Sequence, residues 1–285
     1  MNSSYLGIGL IVFLILIFVI ITAVVAIVVP IVAVNKHYKN FVLIHSVALK
    51  NLRAINKKYT FNKIPYYSLS HSYDNPDFYN DISTEDYLIY WLIFEQKNVK
   101  KAIYNTNANK ELYDLYWNEV KEKCKFNHWD VSETPSNKDK LIKYEKRFFY
   151  DLKKNPTTKF EIYVKLTQTN IAGSYITQKS RVFPTNYILG LITRINNKRG
   201  DFYNDKDIWD AKSRVERGKV SNKMRFAIYA RDGYRCKMCG RYFGKYSKGL
   251  EIDHIIPIAK GGKTEMSNLQ TLCHNCNYKK GDKIL

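Results

Sequence analysis

The sequence predicts an α+β protein in three parts: a single N-terminal transmembrane helix, an α+β middle domain and a small C-terminal domain clamped by a metal ion. Three observations support this prediction. Residues 8–34 contain no charged side chain, the middle of the chain mixes helical and strand periodicities, and the last quarter holds two C-x-x-C pairs. The predicted boundaries are residues 1–7 for an extracytoplasmic N-terminus, 8–34 for the transmembrane helix, 35–59 for a basic juxtamembrane helix, 60–205 for the α+β domain and 206–285 for the C-terminal domain.

The apolar N-terminal segment is long enough to cross a bilayer, because about 20 such residues span the hydrocarbon core. A cleaved signal peptide would show a basic start and a shorter apolar stretch, and a buried core helix is rarely so uniformly apolar. The stretch MNSSYLG has no Lys or Arg, whereas six basic residues follow the segment: Lys36, Lys39, Lys50, Arg53, Lys57 and Lys58. The positive-inside rule therefore predicts a single-pass protein of the cell membrane, with its N-terminus outside and its later domains in the cytoplasm. The same basic residues can contact anionic headgroups of the lipid bilayer.

The net charge indicates a polyanionic partner. The chain has 46 Lys and Arg against 26 Asp and Glu, a formal charge of +20, and residues 212–285 alone carry 17 basic and 6 acidic side chains. An enzyme acting on neutral metabolites has no need of such an excess, which favours nucleic acid or an anionic membrane surface as the partner. A generic basic surface and a compositional bias toward Lys, Asn, Ile and Tyr are the alternatives.

The middle of the chain carries helix and strand signals but no catalytic constellation. The predicted elements are helices over residues 35–58, 112–120 and 141–152, a further helix opened by a capping box at residues 83–86, strands over residues 160–166 and 175–183, and a polar linker over residues 196–207. Tyr and Lys residues of this region could bind single-stranded nucleic acid by stacking and charge. Aromatic residues at helical spacing are more often part of a core.

Four of the five Cys residues form two pairs able to bind one zinc ion. Cys236 and Cys239 make the first pair, and Cys273 and Cys276 make the second. Two C-x-x-C pairs predict a tetrahedral structural Zn²⁺ site in a reducing compartment. Four thiolates leave no open position for a catalytic water. Cys124 is left over, and we expect a buried or idle thiol.

An Asp–His pair interrupts an apolar strand between the two Cys pairs. The stretch LEIDHIIPIAKGG places Asp253 and His254 among Ile residues, where polar groups are costly unless something binds or pairs them. A structural ion pair is one explanation. The order of the neighbouring residues favours another.

The stretch RDGYRCKMCG, followed by DHIIPIAKGGKTEMSNLQTLCHNCNYKKGD, closely resembles the HNH endonuclease family. The family's usual form is D-H-I-x-P, then G-G, N-L and L-C-x-x-C, followed by His or Asn and a downstream Lys. The resemblance covers roughly residues 222–283 and implies a ββα-metal fold that hydrolyses DNA at a divalent cation. RNA is an open alternative substrate, and the oligomeric state is not predicted.

The resemblance also implies roles for individual residues. Asp253 and Asn277 would bind Mg²⁺ or Mn²⁺ through oxygen atoms, and His254 would be the general base that takes a proton from the attacking water. Asn268 would orient the hairpin or the His254 ring. The products would carry 5′-phosphate and 3′-hydroxyl ends. Asn277 stands where the family name expects His, and this favours hard cations over softer metals.

Five basic residues are candidate contacts to nucleic acid: Arg225, Arg231, Arg235, Lys279 and Lys280. The two Lys residues follow Asn277 on one helix and are expected to meet phosphates, with a merely solvated face as the alternative. Arg231 could instead fix the turn into the first Cys pair. Ser221 is predicted to cap the helix that carries Arg225.

Three functions compete on this basis. The first is a membrane-anchored, metal-dependent DNA endonuclease facing the cytoplasm, with a role in defence against incoming phage or plasmid DNA. The second is a non-catalytic, zinc-folded protein that tethers DNA to the membrane and does not need His254. The third is an exported nuclease or toxin, which would require the opposite membrane orientation.

Overall fold

The structure is a computed structural model, and it describes residues 3–196, 206–244 and 248–284. Its helices are α1 (Ser3–His45), α2 (Val47–Lys58), α3 (Pro76–Asp81), α4 (Thr84–Lys123), α5 (Lys138–Leu152), α6 (Thr185–Asn196), α7 (Lys206–Gly218), α8 (Asn222–Arg231) and α9 (His274–Lys280). Its strands are β1 (Tyr67–Tyr73), β2 (Glu161–Thr169), β3 (Tyr175–Pro184), β4 (Leu250–His254) and β5 (Leu269–Cys273), with 3₁₀ turns at Ile258–Lys260 and Met266–Asn268. The predicted α+β class is confirmed.

The chain forms two compact units. The first unit comprises residues 1–62 and 108–157, and the second comprises residues 63–107 and 158–285. This division differs from the boundaries predicted along the sequence, because α4 contributes residues to both units and the middle segment is shared between them. Residues 197–205, within the predicted linker, lie outside the described residues.

Helix α1 contains the apolar segment and runs beyond it. Ile20–His45 is long and apolar enough to cross a membrane, with a mean hydropathy of 2.0. Apolar side chains along it, such as Phe18 and Ile27, are exposed. Such a surface is typical of a helix whose apolar side chains have no protein neighbours to pack against.

Ser46 divides the segment that was predicted as one juxtamembrane helix. Its backbone is extended, and its Oγ accepts a hydrogen bond from the Leu49 N–H at 3.1 Å, so that it is the N-cap of α2. The same hydroxyl donates to Glu145 Oε1 at 2.6 Å. Glu145 is fully buried in α5, and it also accepts from the Asn127 N–H. The predicted helix is therefore interrupted at Ser46. The Ser46 hydroxyl caps α2 and is held in place by Glu145, which is distant in sequence.

The core of the first unit is aromatic and aliphatic. Val42, Leu49, Leu52, Tyr116 and Leu141 are fully buried in it. Cys124 lies at the edge of this core, and burial raises the pKa of its thiol to about 11, which keeps it protonated at pH 7. Its burial is as expected from the sequence.

A three-stranded sheet organises the second unit. The order is β1-β2-β3, with β1 parallel to β2 and β2 antiparallel to β3. The buried alternate residues Ile162, Val164 and Leu166 of β2 face the core, as the predicted strand alternation requires. Strands β2 and β3 confirm the two predicted strands and pair with each other, whereas β1, α3, α6 and α7 were not predicted.

Helix α4 begins at the predicted capping box. Ser83 Oγ accepts from the Asp86 N–H at 3.0 Å, and Asp86 Oδ2 accepts from the Ser83 N–H at 2.8 Å. The prediction of two separate helices after this box is wrong, because α4 runs unbroken for 40 residues. No Gly or Pro interrupts residues 95–111, and Val99, Ala102 and Ile103 there are buried at helical spacing.

The C-terminal part of the second unit has a helix, a hairpin and a helix. Ser221 Oγ accepts from the Met224 N–H at 3.1 Å, which confirms it as the N-cap of α8. Strands β4 and β5 pair antiparallel, with Asp253 opposite Gln270 and His254 opposite Leu269. Helix α9 packs on this hairpin. We call residues 222–284 the C-terminal module.

Candidate metal centre and active-site cleft

The four paired Cys residues converge on one point. The Sγ atoms of Cys236, Cys239, Cys273 and Cys276 all lie within 4.8 Å of one another, and those of Cys239 and Cys273 are 3.9 Å apart. Zn–S bonds of about 2.3 Å place tetrahedral ligands about 3.8 Å apart. The predicted ligands are therefore brought together, and the cluster fits a structural Zn²⁺ ion.

The backbone around the cluster prepares it for thiolate ligands. The Cys239 N–H lies 3.5 Å from Cys236 Sγ. Burial would raise the pKa of Cys236, but backbone N–H groups lower it to about 6, whereas burial and the neighbouring thiols raise the pKa of Cys276 to about 12. A cation bound among the four sulfur atoms would favour the thiolate form of the ligands.

A cleft of about 390 Å³ lies beside the hairpin and is lined by Asp253, His254 and Asn277. Three residues that were predicted from the sequence to act together thus share one surface. Arg225 of α8 also lines the cleft. The cleft volume falls in the range of about 300–1,000 Å³ that is common for small-ligand sites.

Asp253 faces the cleft with two hydrogen-bond donors beside it. Gln270 Nε2 donates to its Oδ2 at 2.9 Å, and Lys280 Nζ lies 3.2 Å from the same oxygen. Lys280 also donates to the His254 backbone carbonyl at 2.8 Å, and only 1% of its surface is exposed. The structure therefore places Lys280 inside the module as the ion-pair partner of Asp253, and not on the phosphate-facing surface that was expected.

His254 is buried and held by Thr264. Its Nε2 lies 2.8 Å from Thr264 Oγ1. Burial lowers the pKa of His254 below its ordinary value of 6.5, so that the ring is neutral at pH 7. If Nε2 donates in this contact, the neutral imidazole keeps its lone pair on the other ring nitrogen, which is what a general base needs.

Asn268 holds the loop that follows β4. Its Oδ1 accepts from the Ile256 N–H at 2.8 Å, and its Nδ2 donates to the carbonyls of Ile256 and Lys263 at 3.1 and 2.9 Å. These contacts are with the loop backbone and not with the His254 ring. The loop is tight at Gly262, where an added Cβ would lie 1.8 Å from the Ile256 carbonyl oxygen.

Asn277 is oriented by a residue of β4. Its Nδ2 donates to Glu251 Oε2 at 2.6 Å, which leaves Oδ1 as the atom available to a cation. The hydrogen bond from Asn277 lowers the pKa of Glu251 and keeps this carboxylate ionised. Glu251 was not predicted, although it lies two residues before Asp253 and hence on the same face of β4.

A scan against protein-family models matches residues 236–283 to HNH endonuclease. Residues 236–283 of the C-terminal module therefore belong to an HNH domain. The match covers both Cys pairs, the Asp–His pair and Asn277, and it leaves the rest of the chain unassigned. Searches of curated proteins and of solved structures gave no match.

The candidate DNA-binding residues of the HNH domain have different surroundings. Arg225 lines the cleft and Lys279 is exposed on α9. Arg231 instead donates to the carbonyls of Met266 and Leu269 at 2.7 and 2.6 Å, and it pairs with Asp232. Its contacts fix α8 to the start of β5, whereas the alternative interpretation expected Arg231 to fix the turn into the first Cys pair.

Arg235 lies over the ring of Tyr242, with 5.0 Å between its Cζ and the ring centroid, and it donates to the Gly240 carbonyl. The guanidinium is thus engaged in the turn of the first Cys pair.

A second wall of the cleft comes from outside the matched segment. Phe78 of α3 lines it together with Trp209, Ser213 and Arg217 of α7. The three α7 residues are spaced by four and therefore share one helical face. Within the described residues, no hydrogen-bond partner is found for the buried Ser213 hydroxyl. The spacing of the three was readable in the sequence, but nothing there placed α7 beside the Asp–His pair.

The donor set in the cleft fits a hard divalent cation. A carboxylate offers about four lone-pair positions, and Gln270 and Lys280 use only part of those of Asp253. The amide oxygen of Asn277 is a second oxygen ligand of the kind that Mg²⁺ and Mn²⁺ prefer.

Proposed function

We propose that this protein is a membrane-anchored, metal-dependent HNH endonuclease that hydrolyses phosphodiester bonds of DNA. The observation that carries the proposal is the cleft of the HNH domain, which is lined by a neutral buried imidazole beside a carboxylate and an amide. The four-Cys cluster supports the fold of the domain. The formal charge of +20 supports a polyanionic substrate.

His254 is the general base in this proposal. Its lone pair takes a proton from a water molecule as the water oxygen attacks phosphorus. The bond between phosphorus and the 3′-oxygen breaks, and the 3′-oxygen takes up a proton from solvent, which gives 5′-phosphate and 3′-hydroxyl ends. Asn268 keeps the loop after β4 in place through the Ile256 and Lys263 backbone.

Asp253 and Asn277 would hold the divalent cation. When bound, Mg²⁺ or Mn²⁺ supplies positive charge that stabilises the leaving oxygen and the crowded phosphate. Arg225 in the cleft and the exposed Lys279 add fixed positive charge for the DNA backbone.

Membrane anchoring is supported by the length and apolarity of α1. The basic residues that follow it favour an extracytoplasmic N-terminus and a cytoplasmic HNH domain. An anchored nuclease would be restrained at the place where phage or plasmid DNA enters, which is why we propose a role in defence. A reporter fused after Lys58 should be active in the cytoplasm, whereas activity on the outer side would contradict the orientation.

The enzymatic proposal is tested on supercoiled plasmid with Mg²⁺ or Mn²⁺. The zinc-loaded parent protein should cut, and His254→Ala should lower the rate by roughly 10²- to 10⁴-fold while DNA binding and zinc content persist. A parent protein that leaves plasmid intact with its zinc bound would refute the proposal. RNA is run as a parallel substrate in the same assay.

A second candidate function is a non-catalytic, zinc-folded DNA tether at the membrane. The ion pair between Lys280 and Asp253 favours it, because it already neutralises the carboxylate that would bind the catalytic cation. If the protein is a tether, the parent and His254→Ala should bind DNA equally well, and neither should cut it.

A further inference from the structure

Thr264 connects the proposed catalytic base to helix α7. Its Oγ1 donates to the Glu216 backbone carbonyl at 2.6 Å and lies 2.8 Å from His254 Nε2. A hydroxyl has one proton to donate. Because that proton is used by the Glu216 carbonyl, Oγ1 must accept from His254, and Nε2 must carry the ring proton. The lone pair of the neutral ring is then on Nδ1.

The Glu216 side chain holds Thr264 from the other side. Its Oε2 accepts from the Thr264 N–H at 3.0 Å, and its Oε1 accepts from Tyr90 Oη at 2.6 Å and from Lys219 Nζ at 3.1 Å. Only 2% of Glu216 is exposed. A buried carboxylate is costly unless donors surround it, and Glu216 satisfies both of its oxygens with these three groups.

The position of Glu216 is set by elements remote from the HNH segment. Tyr90 belongs to α4. Two residues after Glu216, an added Cβ at Gly218 would lie 2.5 Å from Ile82 Cδ1 and 2.9 Å from a ring carbon of Tyr73. The end of α7 is thus closely packed against the region around β1, and it cannot shift without disturbing that contact.

We propose that Glu216 and Thr264 are positioning residues for His254, and that they select the ring tautomer with its lone pair on Nδ1. The proposal rests on the proposed nuclease function for its catalytic consequence. Glu216 lies outside residues 236–283, so the HNH segment alone lacks half of this support. The second unit outside the HNH domain therefore takes part in preparing the base.

The test uses the full-length, zinc-loaded protein in detergent and compares Thr264→Val with Thr264→Ser. Valine keeps the shape without the hydroxyl, and serine keeps the hydroxyl. We expect Thr264→Val to lower kcat roughly 10- to 100-fold with little change in KM, since a misplaced group can cost about 100-fold, whereas Thr264→Ser should restore most of the rate. Thr177→Val, at an exposed position of β3, is the matched control.

A second readout is independent of cleavage. Nitrogen-15 NMR of labelled histidine, with His254 assigned by its loss in His254→Ala, reports which ring nitrogen carries the proton. The parent and Thr264→Ser should show the proton on Nε2, and Thr264→Val should show a mixture. Glu216→Gln should move the signal in the same direction, because its NH₂ group faces donors, while Glu265→Gln in the same loop should not.

The two readouts separate the possible failures. A parent ring protonated on Nδ1, or an unchanged tautomer in Thr264→Val, would overturn the positioning role. Equal loss of kcat in the valine and serine variants, with falling zinc content, would overturn it as well, because the loss would then be structural.

If the parent does not cut plasmid while its tautomer responds as expected, the nuclease function fails and the assignment of the ring proton stands. Adding Thr264→Val to His254→Ala should cause no further loss of rate.

Discussion

The zinc cluster and the cleft belong to the same HNH domain, yet they draw on different lengths of chain. All four thiols come from the two C-x-x-C pairs within the matched segment. The cleft takes Asp253, His254 and Asn277 from that segment but Phe78, Trp209 and Arg217 from α3 and α7. The difference teaches that the ligands of the metal cluster all lie within the matched segment, whereas the cleft is completed by residues from the remainder of the second unit.

The largest effect that we expect is from loss of the zinc cluster. Cys273→Ala should abolish zinc binding and unfold the HNH domain, since zinc contributes roughly 10–16 kcal/mol to the folding of small zinc domains. Zinc stoichiometry and limited proteolysis measure this, with Cys124→Ala as the control that retains zinc. A folded, protease-resistant HNH domain in Cys273→Ala would show that the cluster is dispensable.

Lys280 and Lys279 are neighbours in α9, one buried and one exposed, so that substitutions at the two positions can be compared directly. Lys280→Met should destabilise the HNH domain by about 3–5 kcal/mol, because it leaves the Asp253 carboxylate without its buried partner. Lys279→Met, at an exposed position, should stay within about 0.5 kcal/mol of the parent. Urea unfolding in magnesium-free buffer measures both. Added Mg²⁺ should recover part of the loss in Lys280→Met, and equal stabilities of the two variants would argue against the ion pair.

The buried carboxylate of Glu216 makes the folding stability of the protein depend on pH. Burial alone would raise its pKa, but hydrogen bonds from Tyr90 and Thr264 and the charge of Lys219 hold the pKa below its ordinary 4.5. A depressed pKa contributes stability above pH 4.5, and that stability is lost as the pH falls through the folded-state value. Glu216→Gln should cost about 1.5–3 kcal/mol at pH 7, with a smaller cost at pH 4. A cost that does not change with pH would contradict the buried carboxylate.

The smallest effect concerns the α7 wall of the cleft. Arg217→Ala should weaken DNA binding by roughly 3- to 10-fold and reduce the slope of log K against log salt by about 1, as for the loss of one phosphate contact. Lys206→Ala, on the same helix but outside the cleft lining, is the control. Titrations of a short labelled duplex at several salt concentrations measure both. Identical salt slopes would place the DNA away from α7.

The parts of the site that sequence reasoning found are those set by local chemistry. The spacing of Cys236, Cys239, Cys273 and Cys276 is sufficient to predict a zinc site, because the two residues between the members of each pair keep their thiols close together. Asp253 and His254 were detectable because polar groups in an apolar strand demand an explanation.

What was missed depends on long-range packing. Glu216 lies 48 residues before Thr264, and nothing in the α7 sequence distinguishes its buried carboxylate from a solvated one. Lys280 reads as a surface cation until α9 is placed on the hairpin. In the sequence, Ser46 resembles any other helical residue. Its role as a cap is recognised only when Glu145, 99 residues later, is seen to accept a hydrogen bond from its hydroxyl. The unbroken α4 was hidden by polar residues between two apolar stretches.

The cleft also leads to an expectation of whether DNA would be cut in one strand or in both strands at once. Among the described residues that line it, His254 is the single imidazole, so one binding event would break one strand if the proposed nuclease function holds. Supercoiled plasmid should then relax to an open circle before any linear form accumulates, and the linear form should grow in proportion to the square of the nick density. Two copies confined to the plane of a bilayer would meet more often than in solution. The ratio of linear to open-circle product in liposomes, compared with detergent, would therefore report on encounters between neighbouring molecules.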